Sequence, residues 1–133
     1  MPYLVDTSWA IHALRGDQVA AEALRRIAVV RPSLSWVTLA ELYEQAFRST
    51  NPPAALYGLS RFLVGYRVRY PDDALAERFA EIRAYLRGQG QPIPDFDIVI
   101  AATALQHDLT LLTIDARHFS RVPDLRLYPV DQS

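Results

Sequence analysis

One stretch in the last third of the chain constrains the fold more than any other. From Phe96 to Leu105, only Asp97 and Thr103 interrupt a run of apolar and small residues. A helix that is hydrophobic on all sides is a buried helix. A buried carboxylate is unfavourable unless it is paired or bound to a cation, and the helix dipole offsets only about 0.3–1 kcal/mol of that cost. The rest of the chain is therefore expected to supply partners for Asp97.

Two other acids stand where short apolar runs end. Tyr3-Leu4-Val5 stops at Asp6, and the stretch 109–114 stops at Asp115. Asp6 is followed by a helical pattern, so it is either a helix cap or a functional acid. Strand and helix patterns alternate along the whole chain, which predicts an α/β fold with a parallel or mostly parallel sheet covered on both faces.

The remaining predicted elements follow the same alternation. They are a helix over 19–29 capped by Asp17, a strand over 33–37, a helix from Thr38 to about Arg48, a helix beginning near Pro53 with an apolar stripe from Leu56 to Leu63, a strand over 66–70, a long helix from 71–73 to about Arg87, and an edge strand over 126–130.

A fourth acid, Glu41, lies three residues after Thr38. This is the spacing of a capping box, so Glu41 is either a cap partner or a member of the same acidic group. Asp95 is either the N-cap of the buried helix or a further acid at the rim of the acidic group, and the cap is favoured.

In a parallel sheet, the carboxyl ends of the strands meet at one edge, where ligands bind. Asp6, Asp97 and Asp115 are expected there, with Glu41 as a fourth acid. Carboxylates gathered within a few ångströms repel one another by roughly 4 kcal/mol per pair at 4 Å. Mg²⁺ or Mn²⁺ relieves such repulsion and can assist phosphodiester hydrolysis. The pattern therefore predicts metal-assisted cleavage of a phosphodiester.

Composition excludes several alternatives. The 133 residues, expected to form a single domain over 1–133, include no cysteine and no lysine, and all 14 basic residues are arginine. Thiol nucleophiles, cysteine zinc sites, P-loop lysines and Schiff-base lysines are thereby excluded. The net charge is −1, so any contact with nucleic acid is expected to be local or metal-assisted. No apolar run is long enough to span a membrane and no signal peptide is recognisable, so a cytoplasmic location is expected.

Four motifs in fixed order carry a family resemblance. They are Val5-Asp6-Thr7-Ser8, Thr38-Leu39-Ala40-Glu41-Leu42, Asp97-Ile98-Val99-Ile100-Ala101-Ala102, and Leu112-Thr113-Ile114-Asp115 followed by His118-Phe119. With them, the chain resembles PIN-domain ribonucleases of the VapC toxin type over nearly its whole length. The resemblance implies a three-layer α/β/α domain with a mostly parallel sheet of four to five strands, Mg²⁺ or Mn²⁺ dependence, endoribonuclease activity on RNA, and inhibition by a cognate VapB-type antitoxin.

The resemblance also implies roles for single residues. Asp6 and Asp97 would bind the metal directly, Glu41 directly or through water, and Asp115 at the periphery or at a second metal. Thr7, Ser8 and Thr113 are expected to position water or phosphate. Contacts with the RNA backbone are expected from Arg15, Arg117 and Arg121. For each of these arginines, a solvated surface position is an equal alternative. A structural role is favoured for His118.

Two rival functions remain open. The first is a non-catalytic PIN-like binding module that uses the acidic pocket to dock a partner's arginine. The second is a phospho-receiver domain, against which the absence of lysine counts heavily. The apolar stripe Leu56–Leu63 and the helix over 74–87 also predict a homodimer within a toxin–antitoxin complex.

Overall fold

The computed structural model describes residues 2–27 and 31–128, which contain four strands and seven helices. The strands are β1 (Tyr3–Val5), β2 (Ser33–Ser35), β3 (Arg67–Arg69) and β4 (Thr110–Leu112). The helices are α1 (Thr7–Leu14), α2 (Gln18–Ile27), α3 (Trp36–Phe47), α4 (Pro52–Leu63), α5 (Asp73–Gly88), α6 (Asp95–Gln106) and α7 (Ala116–Phe119). Positions 28 and 29, which the sequence assigned to the second helix, lie outside the described residues.

The strands form one parallel sheet in the order β3-β2-β1-β4. Adjacent side chains of a strand point to opposite faces. Accordingly Leu4 and Leu111 enter one core, which α5 and α6 cover, while Val5 and Leu112 enter the other, which α1, α2 and α4 cover. The predicted three-layer α/β/α architecture with a mostly parallel sheet is confirmed.

The predicted fifth strand is reduced to a single bridge. Leu127 pairs with Leu111 in parallel, through hydrogen bonds that join Leu111 to the Arg126 carbonyl and the Tyr128 N–H to Leu111. Positions 129 and 130 of that prediction lie outside the described residues. The bridge gives the β4 edge of the sheet a partial neighbour.

Most of helix α6 is buried, as its composition predicts, whereas Phe96 in its first turn is 47% exposed. Ile98, Ile100, Ala101, Ala102 and Ala104 are each at most 2 % exposed and belong to the larger core. Burying an isoleucine side chain contributes about 1.5–3 kcal/mol. The helix that carries Asp97 is therefore anchored by its own hydrophobic residues.

Helix α3 begins earlier than the sequence indicated. Ser35 is the N-cap, and its hydroxyl accepts a hydrogen bond from the Val37 N–H at 3.3 Å. The prediction that Thr38 caps this helix is wrong, and so is the capping box with Glu41. Thr38 lies inside the first turn and Glu41 in the second, because the strand ends at Ser35 rather than near Val37.

Asp95 is not the N-cap of α6, contrary to the favoured interpretation. Pro94 occupies that position and makes no side-chain cap, while Asp95 is the first helical residue. Its carboxylate accepts a hydrogen bond from Arg83 Nε of α5 at 2.9 Å. The side chain that the sequence assigned to the cap therefore forms an ion pair between α5 and α6 instead.

No helix within residues 2–27 and 31–128 is long and apolar enough to cross a membrane. The longest of these helices, α5, runs from Asp73 to Gly88 and buries Leu75, Ile82 and Leu86.

Candidate active site at the carboxyl edge of the sheet

Asp6 lies at the carboxyl end of β1 and caps helix α1. Its Oδ1 accepts hydrogen bonds from the Trp9 N–H at 3.0 Å and from the Ser8 hydroxyl at 2.8 Å, while its Oδ2 accepts one from the Thr113 hydroxyl. The residue is only 4 % exposed. Burial raises the pKa of the Asp6 carboxyl; the hydrogen bonds oppose this shift, and the negative charge of Asp97 adds to it. The interpretation of Asp6 as a helix cap is confirmed, and its role as a functional acid stays a prediction.

Asp97 stands in the first turn of α6, where its carboxylate faces α7. His118 Nδ1 lies 3.1 Å from Asp97 Oδ2. Burial raises the pKa of the Asp97 carboxyl, His118 lowers it, and the charge of Asp115 raises it. The protein therefore holds a partly desolvated carboxylate next to a second acid.

Thr113 and His118 link the acids from different elements. Thr113 donates its hydroxyl proton to Asp6 and accepts a hydrogen bond from the Asp115 N–H at 3.0 Å. His118 Nδ1 lies 3.6 Å from Asp115 Oδ2 as well as facing Asp97. Asp6, Asp97 and Asp115 thus belong to one connected set of contacts at the carboxyl edge of the sheet.

Glu41 reaches this edge from α3 through a different contact. The Thr7 hydroxyl donates to Glu41 Oε1 at 2.7 Å and lies 3.0 Å from the Thr38 hydroxyl. Thr7 follows Asp6 directly, so the first turn of α1 connects Glu41 to the buried acid. Thr7 and Ser8, predicted to position water or phosphate, here orient the two carboxylates.

The four acids are not arranged as a complete metal-binding site. Among the residues that the structure describes, no group of three or more histidine, aspartate and glutamate side chains is arranged to hold a metal ion. The sequence predicted four carboxylates close enough to share one cation. In the structure, the acids are instead connected through Thr7, Thr113 and His118.

The donor chemistry nevertheless fits a hard divalent cation. Mg²⁺ takes oxygen ligands, keeps several waters, and is usually bound through one or two protein carboxylates together with substrate phosphates. Asp6 and Asp97 supply two such carboxylates, and burial disfavours the charged form of both. A cation would relieve that cost.

A groove of about 880 Å³ between α1, α3 and α4 borders the site. Glu41 and Arg15 both line it, Arg15 at the end of α1 opposite Asp6. Arg117 is exposed on α7. Arg121 instead donates from Nη1 to the Pro92 carbonyl at 3.2 Å, a contact that uses its guanidinium within the protein.

The comparison with protein families identifies the chain. A family model described as "PIN domain" matches residues 3–125. The chain belongs to the PIN-domain family. Similarity to named relatives places it in the VapC branch: it is 32% identical over 123 residues to ribonuclease VapC19 of Mycobacterium tuberculosis, covering 92% of this chain and 96% of that one.

Other VapC relatives and solved structures agree with this placement. The chain is 30% identical over 126 residues to the tRNA(fMet)-specific endonuclease VapC of Shigella flexneri, with 95% of this chain and 96% of that one covered. The fold is also similar to VapBC2 from Rickettsia felis bound to a promoter DNA fragment, with a TM-score of 0.91, 25% identity, and 98% and 100% of the two chains covered. DNA-bound VapBC from Salmonella typhimurium gives a TM-score of 0.89 at 27% identity, with 96% and 97% covered. The resemblance drawn from the four motifs is confirmed.

Sequence reasoning missed the position of His118 in this PIN domain. A structural role was predicted for it, and its imidazole lies between two predicted site acids. The available signal was the spacing of three residues between Asp115 and His118, which places both on one side of a short helix. Contact with Asp97 could not be read from spacing, because 21 positions separate the two residues.

Proposed function

We propose that this PIN domain is the endoribonuclease toxin of a VapBC-type toxin–antitoxin pair. The observation that carries the proposal is the linked set of acids at the carboxyl edge of the sheet, with Asp6 and Asp97 both desolvated. VapC relatives named as ribonucleases and endonucleases support a hydrolase that cleaves RNA. The same names favour catalysis over a binding-only module.

In this mechanism, each acid has a separate task. Asp6 and Asp97 would hold the cation, and Glu41, whose carboxylate Thr7 orients, would accept a hydrogen bond from the attacking water. Thr113 holds Asp6 in place through its hydroxyl. Asp115 contributes negative charge beside Asp97, as a peripheral ligand or at a second metal.

The cofactor is proposed to be Mg²⁺, with Mn²⁺ as an equivalent. A bound divalent ion would supply positive charge that stabilises the attacking and leaving oxygens of an in-line displacement at phosphorus. The oxygen-only donors of Asp6 and Asp97 suit this hard ion. Arg15 beside the groove and the exposed Arg117 are proposed to contact the phosphate backbone of the RNA.

The proposed partner is a VapB-type antitoxin, because structural neighbours of this fold are VapBC complexes. A homodimer of the toxin within that complex is also proposed. Tyr57 and Val64 remain 63 % and 80 % exposed at α4 and its end. Much of the stripe Leu56–Leu63 is used internally, however, since Leu59 is buried and Phe62 packs against the second core.

Cleavage assays on total cellular RNA test the proposal. Wild-type protein with Mg²⁺ should cleave, and Asp6→Asn or Asp97→Asn should abolish cleavage while retaining cooperative thermal unfolding. Asp73→Asn, at an exposed position in the first turn of α5, is the matched control and should cleave as wild type. EDTA should stop the reaction and added Mg²⁺ or Mn²⁺ should restore it. Wild-type cleavage by either site variant, or cleavage that persists in EDTA, would contradict the assignment.

A further inference from the structure

Two exposed apolar side chains flank the proposed site. Phe96 precedes Asp97 and is 47% exposed, and Ile114 precedes Asp115 and is 48% exposed. The two acids are joined by His118, whose Nδ1 lies 3.1 Å and 3.6 Å from their carboxylate oxygens. Consecutive Cα atoms are only about 3.8 Å apart. The backbones of Phe96 and Ile114 therefore both lie next to these acids, and both side chains are exposed.

The contacts of its neighbours direct Phe96 away from the core. Asp95 pairs with Arg83 of α5, and Asp97 faces His118 of α7. Each helical residue is rotated by about 100° from the one before it, so Phe96 projects between these two directions. Within the described ranges its ring pairs with no other aromatic ring. A face of the ring is therefore accessible beside the site.

We infer that Phe96 is a stacking platform for an unpaired base of the RNA substrate, with Ile114 as its apolar neighbour. The inference rests on the proposed function, because it assumes that a phosphodiester lies at Asp6 and Asp97. Every phosphodiester of RNA joins two nucleosides, so a phosphate at those acids brings a base to the adjoining rim. Aromatic side chains bind such bases by stacking, and the contact tolerates different sequences because every base has a π-face.

Stacking on Phe96 defines the class of substrate. A base within a duplex already stacks on its neighbours, whereas a base in a loop, bulge or single strand can turn onto a protein side chain. Phe96 is therefore available only to a base of a single-stranded or looped segment. A duplex of the same sequence should be a poor substrate because its bases cannot reach Phe96 without unstacking.

Steady-state cleavage of a short single-stranded RNA tests this role. Phe96→Ala should raise KM by about 5- to 150-fold, the range of alanine substitutions at stacked aromatics, and should change kcat by less than about threefold. Phe96→Trp should keep KM near the wild-type value because the indole also stacks. The matched control is Tyr70→Ala, which removes an aromatic side chain that is 64% exposed. Tyr70 lies two residues from Asp72, whose carboxylate binds Gln106 at the end of α6 opposite Asp97.

The kinetic outcomes test the stacking inference separately from the proposed function. If the wild type cleaves RNA and Phe96→Ala leaves KM unchanged, the stacking inference is overturned while the proposed function stands. If Phe96→Ala and Tyr70→Ala raise KM equally, the rise in KM is not specific to the position beside the acids, and the inference also fails. A rise confined to Phe96→Ala, and reversed in Phe96→Trp, supports it.

A binding measurement is independent of cleavage. The double variant F96W/D97N carries an exposed indole in a chain expected to be inactive, and a single-stranded oligonucleotide of about 12 nucleotides should quench its fluorescence. D97N alone is the control, because Trp9 is buried and Trp36 is partly buried. Quenching confined to the double variant supports stacking even if the wild-type chain cleaves no RNA. Equal signals from the two variants contradict it.

Discussion

His118 Nδ1 lies 3.1 Å from the Oδ2 atom of Asp97, although the two residues come from different helices and are 21 positions apart. The contact joins α7 to the first turn of α6. It also brings the imidazole within 3.6 Å of Asp115. His118 is therefore placed to orient the carboxylates on either side of it.

His118→Ala should weaken metal-dependent cleavage. Loss of a partner that orients a metal-binding group typically costs 10- to 100-fold in metal affinity or activity. We expect the Mg²⁺ concentration for half-maximal cleavage to rise by about that factor, and His118→Asn to recover part of it. The control is His12→Ala, whose exposed imidazole contacts Asp17 instead. An unchanged Mg²⁺ requirement in His118→Ala would show that Asp97 needs no support from this ring.

Thr113→Val should destabilise the protein by about 1–3 kcal/mol, the usual cost of leaving a buried polar group without its partner. The substitution keeps the shape of the side chain but removes the hydroxyl that donates to Asp6 and accepts from the Asp115 N–H. Urea unfolding at neutral pH measures the effect. Thr113→Ser keeps the hydroxyl and should lie closer to wild type; equal losses in the two variants would assign the cost to packing rather than to the hydrogen bonds.

Asp72 makes a pH-dependent contribution to stability away from the site. Its carboxylate caps α5 through the Leu75 N–H at 2.8 Å and accepts hydrogen bonds from Gln106, and these contacts lower the pKa of Asp72 below its ordinary value of 3.8. A lowered pKa in the folded state means that the stabilisation is complete above about pH 3.8 and is lost as the pH falls through the folded-state pKa.

Asp72→Ala should therefore lower the melting temperature at pH 7 and differ progressively less from wild type as the solution is acidified below pH 3.8. Asp72→Asn retains a capping oxygen without the charge, so it should lose less at pH 7 and show less change with pH. Thermal unfolding between pH 2.5 and pH 7 checks both variants. A difference between Asp72→Ala and wild type that stays constant across this range would rule out the linkage.

Ile98→Ala should cost about 2–5 kcal/mol of stability, the range for truncating a large aliphatic side chain in a core. Ile98 is 1% exposed and belongs to α6, the helix that carries Asp97. Urea denaturation measures the loss, and Val64→Ala, at a site 80% exposed, should stay within about 0.5 kcal/mol of wild type. A loss below about 1 kcal/mol at Ile98 would show that the core collapses around the cavity.

Local patterns predicted most of the elements because their causes are local. The apolar run at 3–5 is a strand, and the helix predicted to begin near Pro53 begins at Pro52 and is capped by Asn51. Two of the errors fell at helix starts. At α3, Ser35 and Thr38 both suit a cap, and only the end of the strand decides between them. At α6, Asp95 forms an ion pair with Arg83, a residue of another helix.

The sequence by itself determined the class of fold and which residues are the candidate acids. Alternating strand and helix patterns require a covered parallel sheet, and such a sheet aligns the ends where Asp6 and Asp115 stand. Only the tertiary structure decided how the acids are held: Thr7 reaches Glu41 across 34 positions and Thr113 reaches Asp6 across 107. These contacts depend on how whole elements pack, and the spacing of residues along the chain carries no information about distances between elements.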